Sequence, residues 1–195
     1  MNEVVIVKTL IVYANPKEEG HCRAILKELK SSIDDYDVMD LYKMKFNPVL
    51  GKDEFTKYGH VKAGKNIKDM QSRIRKVKKL IFVYPHWWGG MPAIMKGFFD
   101  RVFTEGFALK FKGKRPKGLL KGKTALVFKT SGAPVFIHKF MGNRDANMIK
   151  KEILGFCGIK TTVVQIGMCT ELNDKKVNKI KKKVKKSLDK FFEKK

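Results

Sequence analysis

LIFVYPHWWGGMPAIMKGFFDRV, residues 80–102, reads as a strand, a loop and a helix in that order. Leu80–Tyr84 is an apolar run of strand length, and Pro92–Val102 has the spacing of a buried helix. Pro92 falls just inside the first turn of that helix, where a missing N–H needs no partner. Between the two lie Trp87 and Trp88, followed by Gly89 and Gly90. Two indoles at the exit of a strand, rather than inside a core element, put flat aromatic surface beside open backbone. That combination suits a planar heterocycle, although the same indoles could cover a core or a subunit contact.

Working outward, the same alternation recurs on both sides. Thr9–Ala14 is a strand, and the run Val4–Ala14 that contains it is interrupted by Lys8 and lacks a small-residue cleavage site, so it reads as a strand and not a signal peptide. A helix follows with Ala24, Ile25, Leu29 and Ile33 on one stripe, then a strand at Tyr36–Leu41 and a surface excursion over Lys43–Asn66. A helix around Ile67–Val77 leads back to the quoted segment. Beyond it, Phe103–Lys123 reads as an irregular basic insertion, Thr124–Thr130 as a strand, Arg144–Phe156 as a helix and Thr161–Met168 as the last strand. The final helix places Val177, Ile180, Val184, Leu188 and Phe191 at three- and four-residue steps, so that its lysines form a solvated face. Strand–helix alternation through five strands predicts an α/β protein: one domain over residues 1–195, with a doubly wound parallel sheet and helices on both faces.

Such sheets bind ligands outside the carboxyl ends of their strands, where the strand order reverses. Three loops have that placement. Asn15–Cys22 precedes the first helix, whose N-terminal amides suit a phosphate; Gly20 permits close approach, and Asn15, Lys17, His21 and Cys22 surround it. Pro85–Met91 carries His86 and the Trp-Trp-Gly-Gly run. Ser131–Lys139, entered through Thr130, offers hydroxyls and free amides at Thr130, Ser131, Gly132 and Ala133. No Ser-His-Asp order, paired carboxylates or metal-ligand cluster is visible, and the four histidines (His21, His60, His86, His138) are scattered. The chemistry is therefore expected from a redox cofactor, with no metal.

Bulk composition narrows the classes further. Three cysteines without CxxC spacing argue against a disulfide framework or zinc site and fit a reducing, cytoplasmic setting. No apolar run approaches a membrane span, and stable membrane insertion is not expected. The net charge of +24 is concentrated in eleven lysines over residues 175–195 and in seven basic residues over 110–123. Without a nucleic-acid recognition motif this reads as a lysine-rich surface, not a nucleic-acid site.

YPHWWGGMPAIMKGFFDRVFTEGFAL (residues 84–109) resembles the NAD(P)H:quinone oxidoreductase family. These flavodoxin-like flavoproteins include quinone reductases, modulators of drug activity and ancillary subunits of potassium-efflux systems. Asp40–Leu50, Lys129–Pro134 and Gly155–Lys160 extend the similarity over nearly the whole chain. The resemblance implies a flavodoxin-like fold, a bound FMN (FAD the alternative), NAD(P)H as co-substrate, a quinone or similar acceptor, and a homodimer whose active site is shared near Gly106–Lys123. An electron-transfer or regulatory subunit serving a protein partner is the alternative.

By position, Pro85, His86, Trp87, Trp88 and Gly89 would line the flavin ring, Thr130, Ser131, Gly132 and Ala133 would hold its pyrimidine side, and Gln71 would lie near it. Asp100 and Arg101 are expected to form a structural ion pair. The chain departs from the family where His-Pro, Ser and Asn of the phosphate loop become Asn15-Pro16, Gly20 and Cys22. A tyrosine near the flavin becomes Phe136, with His138 close by as the sole candidate for a catalytic side chain. The substrate-pocket tyrosines of animal relatives become Leu109 and Phe111.

Overall fold

Runs such as TLIVY and LIFVY have no polar face to offer water, so they form strands only where helices cover both sides. In the computed structural model, which describes residues 9–57 and 60–193, they do so. The strands β1 (Thr9–Tyr13), β2 (Tyr36–Asp40), β3 (Lys79–Pro85), β4 (Thr124–Thr130) and β5 (Lys160–Ile166) form one parallel sheet in the order β2-β1-β3-β4-β5. Thr9 stands opposite Tyr36 and Lys79, and Thr124 opposite Lys79 and Lys160, so all five strands start in line. Their carboxyl ends consequently share one rim. This is the flavodoxin-like doubly wound sheet expected from the sequence.

Each face of the sheet carries its own apolar cluster. One joins β1, β3 and β4 to helices α2 (Lys65–Lys76) and α3 (Ala93–Val102) through Ile67, Ile74, Phe98 and Phe99. The other joins Ile11, Ile81 and Phe128 to α1 (His21–Ser32) and to the final helix. That final helix, Asp174–Glu193, buries Ile180, Val184, Leu188 and Phe191. At about 1.5–3 kcal/mol for each buried apolar side chain, the stripe contributes roughly 6–12 kcal/mol before entropy is counted. The lysine-rich end is thus a docked helix, and Val177 is only half-buried.

Elsewhere the structure corrects the sequence reading. Residues 103–123 are not irregular: Leu109–Lys112 and Arg115–Gly118 pair as an antiparallel hairpin turned at Gly113, whose φ is 61°. A Cβ on Gly118 would lie 2.3 Å from the Cys157 backbone carbon, so the hairpin is pressed onto the body of the fold. The excursion over 43–66 contains a 3-10 turn at Lys52–Glu54 and a short antiparallel pairing of Phe55–Lys57 with His60–Val61. Pro92 caps α3 rather than opening it.

The helix expected at Arg144–Phe156 is present over residues 144–153 but changes its winding partway. A short helix α4 (Val135–Phe140) precedes it, Gly142 (φ 78°) and Asn143 (φ 49°) reverse the chain, and α5 (Arg144–Asn147) runs directly into a π-wound stretch, Met148–Ile153. There the Leu154 N–H reaches back five residues to the Ile149 carbonyl. We label the final helix, Asp174–Glu193, α6. Asp100 and Arg101 do not pair with each other: Asp100 accepts from Lys96, while Arg101 donates to Glu54 and to the Asn47 carbonyl. Of the Val4–Ala14 run, residues 4–8 lie outside the described residues.

Candidate active site

The strand order reverses between β1 and β3, because β1 leads outward to β2 before the chain crosses back. The three loops at that rim behave differently. In the first, the Asn15 side-chain oxygen accepts the Lys17 N–H at 3.2 Å, closing an Asx turn. Gly20, at φ 112° and ψ −172°, then turns the chain into α1 from a backbone region that side-chain-bearing residues avoid. The first-turn amides of α1 have no intrahelical partner and face the rim.

Cys22 points inward from this loop. It is buried, its sulfur lies 3.2 Å from the Thr130 hydroxyl, and burial pushes its thiol up to about 12. It stitches the first loop to the end of β4 as a neutral thiol. His21 is buried with Nε2 unpartnered, and burial together with Lys176 holds its pKa below the ordinary histidine value. It borders a cavity of about 370 Å³ with Pro134, Lys176 and Lys179. Lys17 is exposed.

In the second loop, Trp87 and Gly90 exchange both backbone hydrogen bonds at 2.9 Å around a two-residue turn. Trp88 (φ 46°) and Gly89 (φ 83°) occupy its centre, the mirror-image geometry of tight hairpins. The Trp88 side chain is fully exposed and Trp87 is 42% exposed. Neither indole lines the cleft that opens here. His86 and Gly89 do, facing Ser131, Gly132, Ala133, Ile137, His138 and Arg144 around about 470 Å³. The structure therefore brings the backbone of the second and third loops together, and turns the indoles outward. Pro85 is buried beneath. In the third loop the Ser131 hydroxyl donates to the Ala133 carbonyl, fixing the turn.

Behind the cleft stands a group of four side chains, two of which the sequence reading did not single out. Lys129, fully buried on β4, donates to Asp145 Oδ2 at 2.5 Å, and His86 Nδ1 meets the same oxygen at 2.7 Å. The His86 and His138 rings pack edge to face with centroids 4.6 Å apart. Burial alone would raise the Asp145 carboxyl, but Lys129 and His86 outweigh it and hold it below its ordinary value. Burial, Lys129 and His86 lower the His138 pKa, which Asp145 only partly offsets, and its Nε2 is buried without a partner.

The ligating atoms of His86, His138 and Asp145 lie within 4.8 Å of one another, close enough to consider a metal. Lys129 already neutralises the carboxylate, and its ammonium would repel a divalent ion beside it, so we read the cluster as holding protons. One signal was visible beforehand: Lys129 interrupts the apolar strand TALVFKT. Nothing in the sequence pointed to Asp145. Gln71 is buried with its amide committed to the Val102 carbonyl and the Thr104 hydroxyl, and it does not line the cleft.

Comparison with known proteins agrees with this fold. Residues 7–191 match a family described as having a flavodoxin-like fold. An uncharacterised NAD(P)H oxidoreductase of Haemophilus influenzae is 32% identical over 87% of this chain and 88% of its own. Human ribosyldihydronicotinamide dehydrogenase [quinone] is 32% identical over 85% and 83%. A solved Streptococcus mutans structure, 32% identical, superposes with TM-score 0.82 over 92% of this chain and 97% of its own. The NAD(P)H:quinone oxidoreductase of Methanothermobacter marburgensis, at 23% identity, shares the fold with TM-score 0.77 over 93% and 94%.

Proposed function

The chain belongs to the flavodoxin-like family that includes the NAD(P)H:quinone oxidoreductases, and from that premise we propose that it is a flavin-dependent NAD(P)H oxidoreductase reducing a quinone or similar flat acceptor. The observation that carries the reading is the glycine-lined cleft at the switch point of the sheet. A Cβ added at Gly89, Gly90 or Gly132 would meet nothing within 4 Å, so backbone on both sides is open to a flat ring. The unpartnered Nε2 of His138 supports a polar group docked beside it. A bound flavin supplies the two-electron chemistry that these side chains lack.

The protein's own part is to bind, orient and hold charge. The amides and dipole of the α1 N-terminus suit a single phosphate, which favours FMN. FAD would need the cavity beside His21, Lys176 and Lys179 for its second half. The Asp145 carboxylate accepts the Nδ1 proton of His86 and so fixes that ring. His138, neutral near pH 7, donates or accepts a hydrogen bond at Nε2 without bringing a charge into the cleft. The Gly132 and Ala133 amides of the third loop would face negative charge building up at a ring edge. The +24 charge steers anionic dinucleotides toward the protein.

Exposed Trp87, Trp88, Phe136, Phe140 and Met141 surround the cleft mouth, a surface a second copy of the chain would cover, and this supports a homodimer. Three free cysteines fit a reducing, cytoplasmic setting. Among the described residues no helix is long and apolar enough to cross a membrane. The decisive experiment is the visible spectrum of the purified protein before and after anaerobic NADPH. Flavin bands that bleach are expected. A colourless protein that also refuses added FMN and FAD would overturn the reading.

A further inference from the structure

We infer that the free edge of the sheet, strand β5, is a docking site for an extended acidic peptide that adds to the sheet as a sixth strand. β5 pairs only with β4 and is the last strand on its side. The Lys160 N–H donates to the Lys123 carbonyl and the Ile166 carbonyl accepts from Ser131, so both ends of the strand point inward. Alternation along a strand then turns the N–H and C=O groups of Thr161, Val163 and Gln165 outward. The Lys183 ammonium donating to the Gln165 carbonyl from outside agrees with this register.

This edge forms the floor of a groove. A cavity of about 660 Å³ lies between α4 and α5 on one side and α6 on the other, over Leu126, Val163 and Val164. It runs into a second of about 760 Å³ at Lys150 and Thr162. Lys139, Lys150, Lys183, Lys186 and Lys190 line the first, and Lys121, Lys123 and Lys160 extend the row along the second. Among the described residues no carboxylate lines either cavity. The opposite edge is different: Arg73 meets Asp37 through two hydrogen bonds of 2.6 Å, so charge there is matched within the chain.

The chemistry of the occupant follows. A second copy of this edge is excluded, because lysine rows repel one another; the same device keeps edges from pairing with themselves. The occupant must be anionic. Main-chain groups that repeat every two residues, about 6.6 Å, match a peptide strand, whose side chains alternate toward the lysines of α6 and toward Lys139 of α4 and Lys150 of the π-wound stretch. Single-stranded nucleic acid would call for stacking aromatics, and among the described residues Phe191 alone of the aromatics lines the groove. On docking, Lys183 moves from the Gln165 carbonyl to a peptide carboxylate.

The test uses the full-length protein and a fluorescent peptide of alternating glutamate and valine, about eight residues long to match the edge. Saturable anisotropy is expected, with slowed amide exchange at Thr161, Val163 and Gln165. Lys150→Gln/Lys186→Gln/Lys190→Gln, all exposed positions, should weaken binding about tenfold, given a few tenths to 1 kcal/mol per exposed pair. A peptide N-methylated at alternate residues should bind at least as much more weakly to the natural chain, a comparison that needs no variant to fold. Equal binding of the methylated peptide, unchanged exchange at those three amides, or tighter binding of a thymidine oligonucleotide of equal charge would each overturn the assignment.

Discussion

Two of the loops at the switch point of the sheet, β1–α1 and β3–α3, are built in opposite ways. The β1–α1 loop puts glycine where the backbone demands it, at Gly20, and presents main-chain amides, while its Glu18 is paired with Arg23. The β3–α3 loop places Trp88 at a left-handed position that glycine or asparagine would fill without strain, and backs it with a fully buried lysine. The first loop is a backbone device that tolerates change in its side chains, which is how Asn15, Gly20 and Cys22 can replace the residues of the family pattern. The second depends on particular side chains. The contrast teaches where sensitivity to mutation should lie.

The largest effect is expected behind the second loop. Asp145→Asn keeps the shape but leaves the Lys129 ammonium buried and unpaired, which should lower stability by about 3–5 kcal/mol in urea denaturation. The double variant Lys129→Met/Asp145→Leu removes both charges and should recover most of that loss. A single variant within 1 kcal/mol of the natural protein would mean that the lysine reaches water, and the contrast between the loops would collapse.

Acid should probe both loops at once, with an intermediate effect. Folding lowers the pKa of His21 in the first loop and of His138 beside the second. The neutral rings are the ones the fold stabilises, so this stability is fully present above the ordinary histidine value of 6.5. It is lost as pH falls from there through the folded pKa. Asp145, also lowered, stays ionised throughout that window and gives way only below the ordinary carboxylate value of 3.8. Unfolding free energy should therefore decline between about pH 7 and pH 5, and His21→Gln or His138→Gln should each flatten the slope. A slope unchanged in His138→Gln would show that its ring is solvated.

How much of this was legible beforehand follows from the range of the interactions. The five strands and the stripe of α6 were readable because period and burial are local signals; observed ends differ by one or two residues. The hairpin at 109–118 was hidden because its alternation, LKFK and RPKG, carries little apolar contrast. The break at Gly142 and Asn143 depends on two left-handed residues that composition alone does not announce. The loops at the switch point were found, yet the direction of the indoles was not, since a two-residue turn decides it. Lys129 and Asp145 meet across sixteen positions, and His86 joins them from fifty-nine away. Such contacts belong to the fold, and no window on the chain contains them.

The smallest expected effect separates strain from use. Trp88 sits at φ 46° with its side chain fully in water, so within one chain it gains no burial to offset that conformation. Trp88→Asn supplies a residue at home in the left-handed region, and should raise stability by about 0.5–1 kcal/mol. For a chain of this length that is roughly 1–4 °C in Tm. If the indole serves the cleft or a second copy of the chain, the same variant should lose flavin-dependent turnover or dimer mass while gaining stability, the opposite of what Asp145→Asn does. Stability that falls together with activity would instead show that Trp88 supports the fold through contacts beyond the single chain. The second loop would then be as conventional as the first.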